Sequence, residues 1–269
     1  MLRKISKFIG DVWMDAMQVS RLISVKGGLK QIIATSSYIL VQRIGQPRRK
    51  DYQIITRNGY KMFLIPKDRG ISAELRVFKI HEPLTTSLLI NELKSGMVCV
   101  DIGSNIGYYT ILASKLVGEK GKVVSVEPIR LNFDTLMKNI KINNLRNVIP
   151  INAAISDVKG TVEMIVGSSS NWCRVSKENR RIFLSSSLLR YEEVPAITCD
   201  NLLKYVKNVD FIRMDVEGFE YNIINSRGCK KIIERYSPTF LVEFHPLLMG
   251  KSHYRELLDV MYLCVTVIT

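Results

Sequence analysis

Five short apolar runs recur between residues 98 and 246, and helical patterns separate most of them. Val98–Ile102, Lys122–Glu127, Asn147–Asn152, Val209–Asp215 and Thr239–Pro246 are rich in β-branched residues and too short for helices. Continuous apolar runs of this kind predict strands buried on both faces, as in a parallel sheet. Tyr108, Ile111, Leu112 and Leu116 after the first run, and residues 131–143 after the second, keep helical spacing. Another helix is predicted from near Glu220. The alternation of strand and helix predicts an α/β, doubly wound, mostly parallel sheet.

Outside those runs the pattern changes. Tyr52–Pro66 predicts two short strands joined at Arg57-Asn58-Gly59, since Asn-Gly favours a hairpin turn. Arg69–Leu93 reads as helical, with a break at His81-Glu82-Pro83 set by the proline. Thr161–Val166 alternates like an added strand. It lies in a connection of residues 155–208 that exceeds an ordinary loop, and long connections often serve as lids or substrate loops. Trp172, Arg174, Arg180 and Arg181 are candidate substrate contacts there. Arg255–Tyr262 is helical in pattern and Leu263–Thr269 reads as a strand, after which the sequence stops. The expected sheet is therefore one strand short, with a partner or residues 52–66 covering its edge.

Residues 1–50 stand apart as a helical N-terminal extension. Leu2, Ile5, Phe8, Ile9, Val12, Trp13 and Ala16 form an apolar stripe, with Arg3, Lys4 and Lys7 beside it. Asp11 and Asp15 interrupt any signal-peptide core. The uncharged run from Gln31 to Gln42 is too short to span a bilayer. Packing of this extension on the domain of residues 51–269 is the favoured reading, and an interfacial helix is the alternative.

Composition adds charge to this picture. The 269 residues carry a formal net charge of +14. Residues 1–60 hold eleven Lys or Arg against three Asp, so more than half of the excess lies in that segment. Such a segment suits an anionic membrane surface or nucleic acid. Cys99, Cys173, Cys199, Cys229 and Cys264 are scattered without a C-x-x-C pair, which fits a reducing cytoplasm and neither a disulfide framework nor a zinc site. The expected protein is cytoplasmic, with any membrane contact peripheral and through residues 1–50.

The candidate chemistry begins at the first run. Asp101, Gly103, Ser104, Asn105 and Gly107 form a strand end and a turn into a helix, with the glycines allowing close backbone approach. A dinucleotide loop would have a glycine where Asn105 stands, and an acid at Asp101 would gain nothing from a diphosphate. A cationic ligand with an ammonium and a sulfonium gains from it directly. D-x-G-x-N-x-G resembles the first motif of the seven-strand methyltransferases, which implies S-adenosylmethionine. Glu127, about twenty residues on, stands where a ribose-binding acid belongs. In methyltransferases the residues after the third strand lie near the adenine, which makes Asn152 and Ala153 further candidates.

The fourth and fifth runs bring Asp215, Glu217, Glu243 and His245 towards one crevice, the last two on one strand face. His245 or Asp215 is the preferred general base, by unperturbed pKa or position. The carboxylate and histidine cluster could also hold a divalent metal, but no acid triad has a metal-diagnostic spacing, so a metal-free site is the favoured expectation. His81 has no second ligand nearby and reads as structural.

D-I-G-S-N-I-G-Y-Y-T, Glu127-Pro128, T-C-D-N-L-L from Thr198, I-R-M-D-V-E-G-F-E from Ile212 and L-V-E-F-H-P from Leu241 follow the order of the FkbM-type methyltransferases. The resemblance covers about residues 95–248, and Asn201 departs from the second acid common in that family. It implies a Rossmann-like class I fold and S-adenosylmethionine-dependent O-methylation of a sugar, glycan or small natural-product hydroxyl. Ribose methylation of RNA is the alternative, and nucleic acid is the less favoured partner. An amine-directed Asn/Asp-Pro-Pro-aromatic loop is absent, since Asp215-Val-Glu-Gly stands there. A membrane-surface protein retaining the fold is a further alternative.

Overall fold

The computed structural model describes residues 52–167, 169–170, 173–176, 189–245, 248 and the backbone of 266–268. The expected N-terminal extension, Trp172, Arg180, Arg181 and the helix over 255–262 lie outside the described residues.

A hairpin opens the described chain, β1 (Gln53–Ile55) pairing antiparallel with β2 (Lys61–Phe63). Helices α1 (Ile71–Phe78) and α2 (Pro83–Glu92) follow, with the break where Pro83 requires it. Next come β3 (Val98–Ile102), α3 (Tyr108–Val117), β4 (Lys122–Val126), α4 (Arg130–Ile142) and β5 (Val148–Ile151). After a second, smaller set of strands come β10 (Phe211–Met214), α5 (Glu220–Asn225), α6 (Arg227–Tyr236), β11 (Thr239–Glu243) and β12 (Thr266–Ile268). The main sheet runs β12-β11-β10-β3-β4-β5 with every described pairing parallel. The order reverses beside β3, and ligands of open α/β sheets bind outside the strand ends at such a switch point.

Strand alternation divides the interior in two. Val100, Ile102, Val124, Ile212 and Phe240 join one buried cluster with residues of α5 and α6. Cys99, Val123, Phe211 and Leu241 join another with the hairpin, α1, α2 and α3. All five residues of β3 are buried, which is why its sequence is a continuous apolar run broken only by Asp101.

Two expectations change. The hairpin does not cover the edge of the main sheet. It lies along α4, where the Asn139 side chain bonds both backbone groups of Phe63 and that of Asn143 those of Lys61. The long connection is also more than a loop. It builds a second sheet of order β6-β9-β7-β8, from β6 (Ala154–Ile155), β7 (Gly160–Val166), β8 (Cys173–Val175) and β9 (Arg190–Ile197). Thr161–Val166 is the added strand expected, with β9 as its long antiparallel partner. Residues 266–268 add as a parallel strand against β11.

Candidate active site

Register places a polar row across three parallel strands. Arg213 of β10 lies beside Asp101 of β3, which lies beside Ser125 of β4. Alternation turns Asp101 towards α3, where Thr110 Oγ1 donates to its Oδ2 at 2.6 Å and shares a 2.8 Å bond with Ser125. Arg213 donates to Asp101 Oδ1 at 3.5 Å, to the Gly103 carbonyl at 3.0 Å and to Asp215 Oδ2 at 2.8 Å. Its guanidinium also stacks over the Tyr109 ring, 4.5 Å from the centroid. Asp101 is 1 % exposed and lines neither recess at the strand ends. It is an internal acid that fixes Arg213, and burial raises its pKa against the opposing pull of Arg213 and Thr110. The expectation that Asp101 meets a cationic ligand directly is corrected accordingly.

The loop after β3 is shaped by close approach. Gly103 has φ +78°, and a Cβ there would lie 1.8 Å from the Asp215 carbonyl oxygen. Gly107 starts α3 at φ +90°, and its missing Cβ leaves room for Leu136 of α4. Asn105 takes a left-handed conformation (φ 50°) and presents its N–H to Glu127 Oε2 at 2.8 Å. Glu127 Oε1 accepts from Ile129 N at 2.9 Å and, more weakly, from Asn132 Nδ2 at 3.4 Å. Burial pushes the Glu127 carboxyl up to about 7 despite those donors.

Glu127 opens onto a recess walled by Ile102, Gly103, Pro128, Ala153, Ala154, Ile155 and Phe219. Ala153 thus stands where expected. Asn152 instead donates to the carbonyls of Glu127 and Pro128 at 2.8 and 2.9 Å, so it holds the turn that carries the acid. Over the same recess, the Ser170 carbonyl accepts from the Asn105 and Asn132 side chains, while Asp68 accepts from the Ser170 backbone N–H and hydroxyl. The volume left is about 60 Å³. That is well below the roughly 300 Å³ at which ligand pockets begin.

A second recess continues from the first through Gly103, Asn105, Asp215 and Glu217. Its other walls include Glu82, Ser104, Tyr109, Arg213 and Glu243. Ser104 Oγ and Asp215 Oδ1 are buried there without hydrogen-bond partners. Tyr109 Oη donates to Glu82 at 2.8 Å, and His81 is held between Glu74 and Glu82. His81 is structural, as its sequence context implies. Burial would lower its pKa, but the two glutamates outweigh that and raise it to about 9.

At the mouth of this recess the two strand ends bring four expected side chains together. His245 Nδ1 bonds the fully buried Glu220 Oε1 at 2.9 Å, and Gly218 N donates to the same oxygen at 3.0 Å. His245 Nε2 lies 3.4 Å from Glu217 and 3.7 Å from Glu243. Burial alone would lower the imidazole pKa, but the Glu220 bond and the charges of Glu217 and Asp215 raise it to about 10. His245 is therefore charged at neutral pH and is a poor proton acceptor in this state, contrary to the expectation for a base. Burial raises Glu217 to about 7 and, with the Asp215 and Glu82 charges, Glu243 to about 8. These two carboxylates can take up a proton near neutrality.

Glu217 also lines a third recess of about 210 Å³, with Ile165, Gly167, Cys173, Arg174, Leu189 and Leu248. Arg174 is thus the one expected substrate contact that lies within the described residues, and it faces an apolar wall. Sequence reading missed Arg213, Glu82, Asn132 and Ser170. Arg213 carried a signal, a charge in the middle of an apolar strand, which burial can accommodate only with an acid alongside.

A family model described as "Methyltransferase FkbM domain" matches residues 101–264 of this chain. Among solved structures, the chain is similar to a protein-L-isoaspartate O-methyltransferase at 32 % identity with TM-score 0.27, over 28 % of this chain and only 24 % of that one. It is similar to a precorrin-6y C5,15-methyltransferase from Geobacter metallireducens GS-15 at 14 % identity and TM-score 0.41, over 67 % of this chain and 71 % of that one. It also resembles an rRNA methylase from Streptococcus thermophilus at 11 % identity and TM-score 0.40, covering 65 % and 76 % of the two chains.

Proposed function

The chain belongs to the FkbM methyltransferase family, and on that footing we propose that it methylates a hydroxyl oxygen of a sugar, glycan or small natural product. S-adenosylmethionine is the methyl donor of this family, and when bound it supplies an electrophilic methyl group on a sulfonium. The residues present fit it. Glu127 retains acceptor capacity on Oε2 for ribose hydroxyls, since a carboxylate offers about four lone-pair sites. Ala153, Ala154, Ile155 and Phe219 offer an apolar wall for the adenine. The orphaned Ser104 Oγ, with Glu82 nearby, offers acceptors for the amino-acid end.

The observation that carries hydroxyl chemistry is the placement of Glu217 and Glu243 together beside the trough that the first two recesses form, 3.4 and 3.7 Å from His245 Nε2, with burial raising their carboxyls to about 7 and 8. A hydroxyl must lose its proton as its oxygen attacks, and either carboxylate can take it. His245, charged and anchored by Glu220, holds Glu217 and Glu243 in place and stabilises the ionised partner. Position supplies much of the rate, and the base contributes about 10²–10⁴-fold. The apolar third recess favours an acceptor whose hydroxyl sits on an apolar body.

The test is transfer of a carbon-13-labelled methyl group from S-adenosylmethionine to a panel of hydroxyl, amine and RNA acceptors, with the product read by NMR. An O-methyl signal on a small acceptor is expected, falling at least tenfold when Glu217→Gln and Glu243→Gln are combined. Exclusive N- or C-methylation, or labelling of RNA alone, would overturn the proposal.

A further inference from the structure

The cluster at the mouth of the trough has a donor set that the proton-transfer role does not use up. One oxygen of Asp215 is held by Arg213 at 2.8 Å, which leaves Oδ1 oriented, buried and without a partner. His245 Nδ1 is engaged by Glu220, a side chain with no exposure, so Nε2 is the nitrogen directed at the other acids. A buried carboxylate behind one imidazole nitrogen is the outer-shell arrangement that fixes a metal-binding histidine. Glu217, in a left-handed turn at φ 52°, completes a set whose ligand atoms lie within 4.8 Å of one another. Adjacent ligands on an octahedral ion lie about 3 Å apart, given bonds of about 2.1 Å. The Glu217–His245 separation of 3.4 Å needs little adjustment to meet that.

We propose that Asp215 Oδ1, Glu217 and His245 Nε2 form a divalent-cation site at the substrate end of the trough. It goes beyond the methyl-transfer reading and rests on it only for the role of the ion. One nitrogen with two carboxylate oxygens suits Mn²⁺ better than Ca²⁺ or a thiolate-seeking metal. The ion would replace the His245 proton as the positive charge among Asp215, Glu217, Glu220 and Glu243. Bound beside the third recess, it would lower the pKa of an acceptor hydroxyl and leave Glu243 to take the proton. Sequence spacing is not diagnostic for it, because two ligands sit two residues apart at the end of one strand and the third lies beyond the end of the next.

The experiment titrates the full chain with MnCl₂ at pH 8, following free Mn²⁺ by electron paramagnetic resonance and the melting temperature in parallel. One equivalent bound and a raised melting temperature are expected. Glu217→Gln and His245→Gln should each weaken binding at least tenfold, and Glu220→Gln about 10–100-fold through loss of imidazole orientation. Glu243→Gln removes a carboxylate 3.7 Å from His245 Nε2 but no ligand, so it should weaken Mn²⁺ binding less than Glu217→Gln does. No binding by the wild-type chain, or undiminished binding in Glu217→Gln, would overturn the site. S-adenosylhomocysteine titrated into the same samples separates the two claims. Retained nucleoside binding without Mn²⁺ binding removes the ion and leaves the methyltransferase reading intact. If any variant fails to bind the nucleoside, the wild-type titration and melting shift decide alone.

Discussion

Replacing Arg213 with methionine removes the charge on which two buried acids and the cofactor loop converge. The guanidinium is 5 % exposed and serves Asp101, Gly103 and Asp215 at once. Breaking a buried ion pair by removing one partner costs about 3–5 kcal/mol. The share belonging to Asp215 is the smaller one, because that side chain is 20 % exposed and can recover some hydration. Asp101, at 1 %, retains only the Thr110 hydroxyl. In the variant it escapes by taking a proton, so its folded-state pKa, already raised by burial, climbs further above the unfolded value. An acid raised in this way makes the fold less stable as pH climbs. Arg213→Met should therefore lose about 3–5 kcal/mol at pH 8 and visibly less at pH 5. Urea unfolding followed by circular dichroism measures both values. Adding Asp101→Asn should restore part of the loss by removing the stranded charge. A loss under about 1 kcal/mol, or a double variant no better than the single one, would refute the role given to this pair.

Other predictions follow from the same geometry. Gly103→Ala should abolish S-adenosylhomocysteine binding in calorimetry, since its Cβ would collide with the Asp215 carbonyl and φ +78° adds about 1–2 kcal/mol of strain. His81 is raised to about 9, so its contribution to stability is complete below pH 6.5 and fades as pH rises towards 9. The melting temperature of wild type should therefore converge on that of His81→Gln over that window, and a constant gap would refute the buried imidazolium. Asp68→Ala removes two of the hydrogen bonds that hold Ser170 over the 60 Å³ recess, leaving those from Asn105 and Asn132, and should speed nucleoside association in stopped-flow measurements. An unchanged association rate would show that Ser170 does not gate entry.

Much of this architecture was legible because local sequence and global fold agree. The β3–loop–α3 unit, the Asn-Gly hairpin, the break before Pro83 and the glycine turn before Glu220 each carry their own backbone requirement. Glu127 was singled out from spacing alone, and it lines the first recess. Asp101 was misdirected because β3 is buried on both faces, so its apolar pattern says nothing about which side the acid takes. Its lateral pairing with Arg213 depends on a register between residues 112 apart, which no local pattern encodes. The second sheet was half hidden for a related reason. Its strand β9 pairs Arg190–Ala196 with β7 and includes Pro195 among charged residues, so it reads as a loop until its partner is in place. The charged state of His245 was not legible because the unperturbed histidine pKa takes no account of Glu220, a residue that looks from sequence like a plain helix-start acid.

The central claim is that a nucleoside-bearing methyl donor sits on Glu127 at the switch point of the sheet. Calorimetric titration of S-adenosylhomocysteine into wild type and Glu127→Gln at pH 8 tests it most directly. Hydrogen bonds to a charged group contribute about 1.5–3 kcal/mol, so the variant should bind roughly 10–100-fold more weakly. Wild-type affinity should also fall as pH drops below about 7, where the carboxyl takes up its proton. Equal affinity in the two proteins, with no pH dependence in either, would contradict the account.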